Sequence, residues 1–155
     1  MQTINIEHVS LHGSHVTIHI LSGSPDRLPN DYARVQVPAV ISCNQGDAYL
    51  ATMELVEARF CTATTGRTDS RVNIMRHTDR RTSVESQVVM IGPGAVECIT
   101  RYKNAMIVKS GDYLWPAIGR IGQDSWGWEI DLEFVIIDIE YVDRNVLEGV
   151  GADKS

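Results

Sequence analysis

No stretch of the chain approaches the roughly eighteen unbroken apolar residues that a membrane-spanning helix requires. The opening Met1-Gln2-Thr3-Ile4-Asn5-Ile6-Glu7 has neither a basic start nor an apolar run behind it. Neither a membrane helix nor a secretory leader is expected, and the default location is the cytoplasm. Cysteine is scarce: Cys43, Cys61 and Cys98 are odd in number, widely spaced and free of any C-x-x-C arrangement. That excludes a disulfide framework and a four-cysteine zinc site, and leaves the thiols as small buried hydrophobes. Basic residues are in the minority, 14 Lys and Arg against 20 Asp and Glu, so the formal net charge is −6. Nucleic-acid phosphates reward a basic surface, and general affinity for them is not expected. Catalytic signatures are missing as well. There is no G-x-S-x-G nucleophile elbow, and Gly119-Arg120-Ile121-Gly122 lacks the spacing and the Lys-Ser/Thr of a phosphate loop.

What is present is a chain of 155 residues, 43% apolar, which suits one domain with its own core. We expect a single β-rich domain over residues 1–148 and a frayed C-terminal tail over 149–155, where small and polar residues gather. The fold class expected is mainly β, or α+β with at most one or two short helices, built from antiparallel sheets as a sandwich or barrel-like body. Close spacing of turn signals favours this over alternating βαβ units.

Ile4 and Ile6 alternate with polar neighbours, and after His12-Gly13-Ser14 so do Val16, Ile18 and Ile20, which predicts a hairpin. Leu21 to Asp31 concentrates Gly, Ser, Pro and Asp and reads as an exposed loop. Val35, Val37 and Val40-Ile41 predict a strand interrupted by Pro38, and Asn44-Gln45-Gly46-Asp47 a turn. From Ala48 to Ala63 two periods compete. Leu50, Met53, Glu54 and Glu57 suit a helix, whereas Val56, Ala58, Phe60 and Thr62 alternate as a strand does; a long strand is preferred. Arg67 to Ser86 reads as a short strand and a mobile loop. Val88 to Ile91, Gly92-Pro93-Gly94 and Ala95 to Tyr102 read as a hairpin, and Ala105 to Val108 as a short apolar run. The clearest element is Trp126 to Val142. Trp128, Ile130, Leu132, Phe134 and Ile136 share one face, and then the apolar parity moves to Ile137, Ile139 and Tyr141. Such a shift requires either burial on both faces or a β-bulge near Val135.

Four groups of residues could carry chemistry. His8, His12, His15 and His19 would align on a helix as a metal site, but Gly13 and the β-branched Val16, Thr17, Ile18 and Ile20 oppose that helix. On a strand only His15, Thr17 and His19 share a face, so His15 and His19 remain candidate metal ligands beside the plainer reading of solvent-facing histidines. Glu129, Asp131 and Glu133 form an acidic stripe, and Arg67, Arg71, Arg76, Arg80 and Arg81 a basic segment. Solvated faces are one reading. The other is pairing between neighbouring subunits, since opposite stripes on one chain favour head-to-tail association and help fix register. Among the tryptophans, Trp126 and Trp128 share the core parity, which leaves Trp115, before Pro116, as the more exposed stacking candidate.

The run Ser125-Trp126-Gly127-Trp128-Glu129-Ile130-Asp131-Leu132-Glu133-Phe134-Val135-Ile136 resembles the final strand of tailed-bacteriophage tail terminator proteins, in which a Trp precedes an alternating strand that closes the sheet. The resemblance covers about a tenth of the chain. Strand-like alternation stands where that family has an amphipathic N-terminal helix, so the implied class widens to neck and tail structural proteins. It implies a non-enzymatic subunit of a ring-shaped homo-oligomer, located in the virion, whose partners are copies of itself and other structural proteins. No cofactor, nucleic acid or membrane is expected. The rival class is a β-domain that binds a small ligand with Trp115, His15 and His19 near its pocket; a third is a metal-dependent enzyme using the N-terminal histidines.

Overall fold

The computed structural model describes residues 5–6, 9–12, 15–23, 34–38, 40–41, 48–78 and 85–142. Among them twelve strands form and no helix does. They are β1 (Asn5–Ile6), β2 (Val9–His12), β3 (His15–Gly23), β4 (Val35–Gln36), β5 (Val40–Ile41) and β6 (Ala48–Cys61). Then come β7 (Ser70–His77), β8 (Glu85–Ile91), β9 (Glu97–Arg101), β10 (Ile107–Lys109), β11 (Tyr113–Arg120) and β12 (Trp128–Val142). The larger sheet runs β1-β2-β3-β12-β6, with the short strands β5, β10 and β9 sharing the far edge of β6. The smaller runs β4-β11-β7-β8. Every pairing is antiparallel and neither sheet closes on itself, so the expected mainly-β fold is a sandwich and not a barrel.

Alternation supplies the core. Val16, Ile18, Met53, Leu55, Phe60, Trp128, Ile130, Leu132 and Phe134 face inward from the large sheet, and Val35, Val72, Ile74, Val89, Ile91 and Leu114 from the small one. Each such side chain contributes about 1.5–3 kcal/mol by leaving water. Phe60 and Trp128 meet edge to face at 4.9 Å between ring centroids.

The preferred strand reading of Ala48 to Ala63 holds, with an irregularity inside it. Against β12, Glu57 pairs with Glu133 but Leu55 pairs with Phe134, which leaves Val56 as an extra residue. The inward positions are therefore Ala51, Met53, Leu55, then Ala58 and Phe60. The single step of three is a β-bulge that moves the inward parity from odd to even positions. β12 has the same device: Ile136 pairs with Met53 and Asp138 with Thr52, so Ile137 is the extra residue and the apolar parity moves to Ile139 and Tyr141. The bulge expected near Val135 is thus found two residues further on.

Three expectations are corrected. Val88–Ile91 and Ala95–Tyr102 are not a hairpin, because β8 pairs with β7 in the small sheet and β9 with β6 in the large one. Gly92-Pro93-Gly94 carries the chain between layers, a step that looks the same in sequence as a hairpin turn. The strand expected across Val35 to Ile41 is likewise divided at Pro38, with β4 on β11 and β5 on β6. The N-terminal hairpin has three strands, since β1 and β2 pair with each other before β2 pairs with β3. The expected turn at 44–47 and the tail at 149–155 lie outside the described residues, as does the loop beyond Gly23 up to Asp31.

Candidate functional site

Glu129, Asp131 and Glu133 project from the outer face of the large sheet because their even-numbered neighbours fill the core. β3 brings His15 and His19 to the same face. His15 Nδ1 lies 2.9 Å from Glu133 Oε1, and His19 Nδ1 lies 2.5 Å from Asp131 Oδ1. On the other flank, Arg59 of β6 binds Glu97 at 2.8 Å and reaches Asp131 at 3.9 Å, while Arg101 of β9 reaches Glu57 at 3.5 Å. The Glu97 hydrogen bond holds the Arg59 guanidinium more firmly protonated than usual. Burial pushes the neighbouring Cys61 thiol up, against the pull of Arg59. Each histidine is thus turned onto a different carboxylate, and no group of three or more His, Cys, Asp or Glu side chains able to hold a metal comes together among the described residues. His8 lies outside those residues.

The arginines of the basic segment sit on and beside the small sheet, and their carboxylate partners are in the same chain. Arg67 binds Asp124 at 3.0 Å, Arg71 binds Asp69 at 2.9 Å, and Arg120 shares Asp69 at 3.2 Å. The Arg71 hydrogen bond, helped by the Arg120 charge, holds the Asp69 carboxyl below the ordinary range. Arg76 sits at the core rim and spans Glu85 and Asp112, each at 3.1 Å. Asp112 also accepts the Lys109 backbone N–H at 2.8 Å, so Oδ2 of this buried carboxylate accepts from both. Arg80 and Arg81 lie outside the described residues. The acidic and basic stripes therefore belong to different layers of the sandwich, and each is largely balanced locally.

The tryptophan expectation is reversed. Trp126 is 55% exposed and Trp115 is buried, while Trp128 is in the core as expected. Gly127 is the reason: at φ 70° it turns the chain between the two rings, and a Cβ there would stand 2.5 Å from the Ala63 Cβ. β12 consequently begins at Trp128, and Trp126 falls outside its alternation. On β11, Leu114 takes the inward position, so Trp115 lies on the outer face of the small sheet. There it meets His77 at right angles, 6.4 Å between centroids, with the Arg34 guanidinium 5.6 Å from its ring centre. Its indole Nε1 is buried with no hydrogen-bond partner among the described residues. His15 and His19 occupy the opposite outer face of the sandwich, so the pocket imagined from Trp115 and these histidines does not form.

Two apolar patches were missed in the sequence, one at each end of β6. At the Ala48 end, β12 outruns its cover: Ile137, Ile139 and Tyr141 are 51%, 54% and 63% exposed, and Tyr141 stacks edge-on against Tyr49 at 5.8 Å. At the Cys61 end, Val96 and Ile99 are exposed beside β6, with Arg101 and Lys103 next to them. The parity shift in β12 was a signal for the first patch. Nothing local marks the second: Ile99 faces outward opposite Arg59 because Cys98 and Thr100 take the positions beside the inward Phe60 and Ala58. Comparison with protein-family models, curated proteins and solved structures finds no match to this chain.

Proposed function

We propose that the protein is a non-enzymatic structural subunit that assembles with copies of itself into a ring, as a neck or tail component of a virion does. The observation that carries the reading is the uncovered end of β12. Ile139 and Tyr141 take the core-facing parity, yet among the described residues no second layer covers them. A contiguous apolar strip with a polar rim marks an interaction surface, and a neighbouring copy completes the burial that the small sheet leaves unfinished. Separate apolar patches at the two ends of β6 suit a heterologous, head-to-tail contact, which closes into a ring when its rotation allows. The resemblance of Ser125 to Ile136 to tail terminators supports the same class. Light scattering coupled to size-exclusion chromatography tests it: a discrete oligomer is expected, and a monomer at every concentration and salt would contradict it.

A second reading rests on Trp115. A buried indole N–H without a partner costs about 1–3 kcal/mol, and an acceptor-bearing small ligand placed between Trp115 and Arg34 would recover it. Quenching or a spectral shift of tryptophan fluorescence on titration with small carboxylates, abolished in Trp115→Phe, is the outcome that reading requires.

A further inference from the structure

We infer that the open edge of β8 takes an extended, acidic segment of a partner protein as an added strand. This surface and this occupant are distinct from those of self-assembly. β8 pairs with β7 on one side, and among the described residues no strand pairs with its other edge. The Val88 carbonyl accepts from the Tyr102 hydroxyl at 3.2 Å, so it points to that open edge and away from β7. In an antiparallel ladder the N–H and C=O of such a residue point the same way, and residues two positions along repeat it. Ser86, Val88 and Met90 therefore turn their backbone groups outward. The strand Glu-Ser-Gln-Val-Val-Met-Ile has no lysine or proline, its one acid stands at the first position, and its ladder with β7 carries no bulge. An edge without these guards is a template for a strand of another chain. The Tyr102 bond is long for an O–H donor, and an incoming backbone N–H replaces it.

Charge selects the occupant. Residues directly opposite in a ladder share a face. Met90 pairs with Arg71, Arg71 with Arg120, and Val88 with Asn73, so the exposed Val88 and Met90 and both arginines lie together on the outer face of the small sheet. The two half-exposed arginines share one carboxylate, Asp69, which leaves a positive charge in excess. The acid of β8 itself, Glu85, has the opposite parity and pairs with Arg76. A glutamate on the outer face of an added strand stands two strand spacings from Arg71, about 10 Å between backbones, and the two long side chains meet above Met90. An alternating segment that sets acids outward and apolar residues inward beside Val89 completes the edge. The β8 strand of a second copy has no acid on that face and leaves the excess charge unmatched.

The probe is a fluorescein-labelled heptapeptide alternating valine and glutamate, titrated onto the full chain by fluorescence anisotropy beside its valine–lysine counterpart. The acidic peptide should bind and the basic one should not. Arg71→Glu should weaken binding about tenfold or more. Val88→Pro removes an outward N–H that the ladder with β7 does not use, and should abolish binding; Tyr102→Phe removes the competing hydroxyl and should strengthen it. Circular dichroism confirms that each variant is folded. Failure of the acidic peptide to bind, equal binding of the basic one, or binding indifferent to both Val88→Pro and Arg71→Glu overturns the proposal. A change in the oligomeric state of the protein alone on Val88→Pro would give the edge to a second copy and overturn it equally.

Discussion

The two halves of β12 share one alternating pattern and meet opposite fates. From Trp128 to Phe134 the inward side chains are sealed beneath the small sheet; beyond the bulge at Ile137, Ile139 and Tyr141 point the same way and remain in solvent. What differs is the layer across from them. Hydrophobic alternation specifies which face a side chain takes, whereas burial depends on elements distant in sequence. An exposed apolar strand end is where a second molecule finds purchase.

The widest separation between the halves should come from truncation. Phe134→Ala is expected to cost about 3–5 kcal/mol through the cavity it leaves, while Ile139→Ala in dilute, unassembled protein should change stability by no more than about 0.5 kcal/mol. Denaturant unfolding of the two variants side by side measures the difference, and equal losses would mean that the end of β12 is covered.

Charges repeat the contrast more weakly. Asp112→Ala strips the half-buried Arg76 of one partner and the Lys109 N–H of its acceptor, and should cost about 2–3 kcal/mol. Asp131→Ala breaks the His19 and Arg59 contacts on the outer face and should cost less than about 1 kcal/mol. Gly127→Ala lies between these, at about 2 kcal/mol, from a strained left-handed backbone and the overlap with Ala63. Near-UV circular dichroism should register its disturbance of Trp128.

The smallest effect concerns acid. Because Asp69 is held below the ordinary carboxylate range in the fold, its contribution is complete above its unfolded pKa of about 3.9 and is lost as pH falls through the lower folded value. Unfolding midpoints measured downward from pH 5 should therefore decline less steeply in Asp69→Asn than in wild type. A steeper decline in the variant would reverse the sign.

Much of this architecture was legible in the sequence where contacts are local or periodic. Trp128 to Phe134 announced a half-buried strand, and the parity shift announced a bulge. β6 was ambiguous because Leu50, Met53, Glu54 and Glu57 fall at helical spacing, although only Met53 of the four is buried. Gly92-Pro93-Gly94 and Pro38 misled because a turn within a sheet and a crossing between sheets use the same residues. The acidic and basic stripes were visible as composition, but their in-chain partners were not: His19 meets Asp131 and Arg59 meets Glu97 only through strand order. Trp126 was misplaced because a single left-handed glycine moved the start of β12 by two residues, and Trp115 because its burial on the outer face of β11 depends on contacts distant in sequence.

Light scattering after size exclusion, on wild type beside the double variant Ile139→Ser and Tyr141→Ser, tests the uncovered end of β12 most directly. The account predicts a discrete oligomer for wild type and a monomer with a similar unfolding midpoint for the variant. A monomeric wild type, or a variant that assembles as well as wild type, would contradict it.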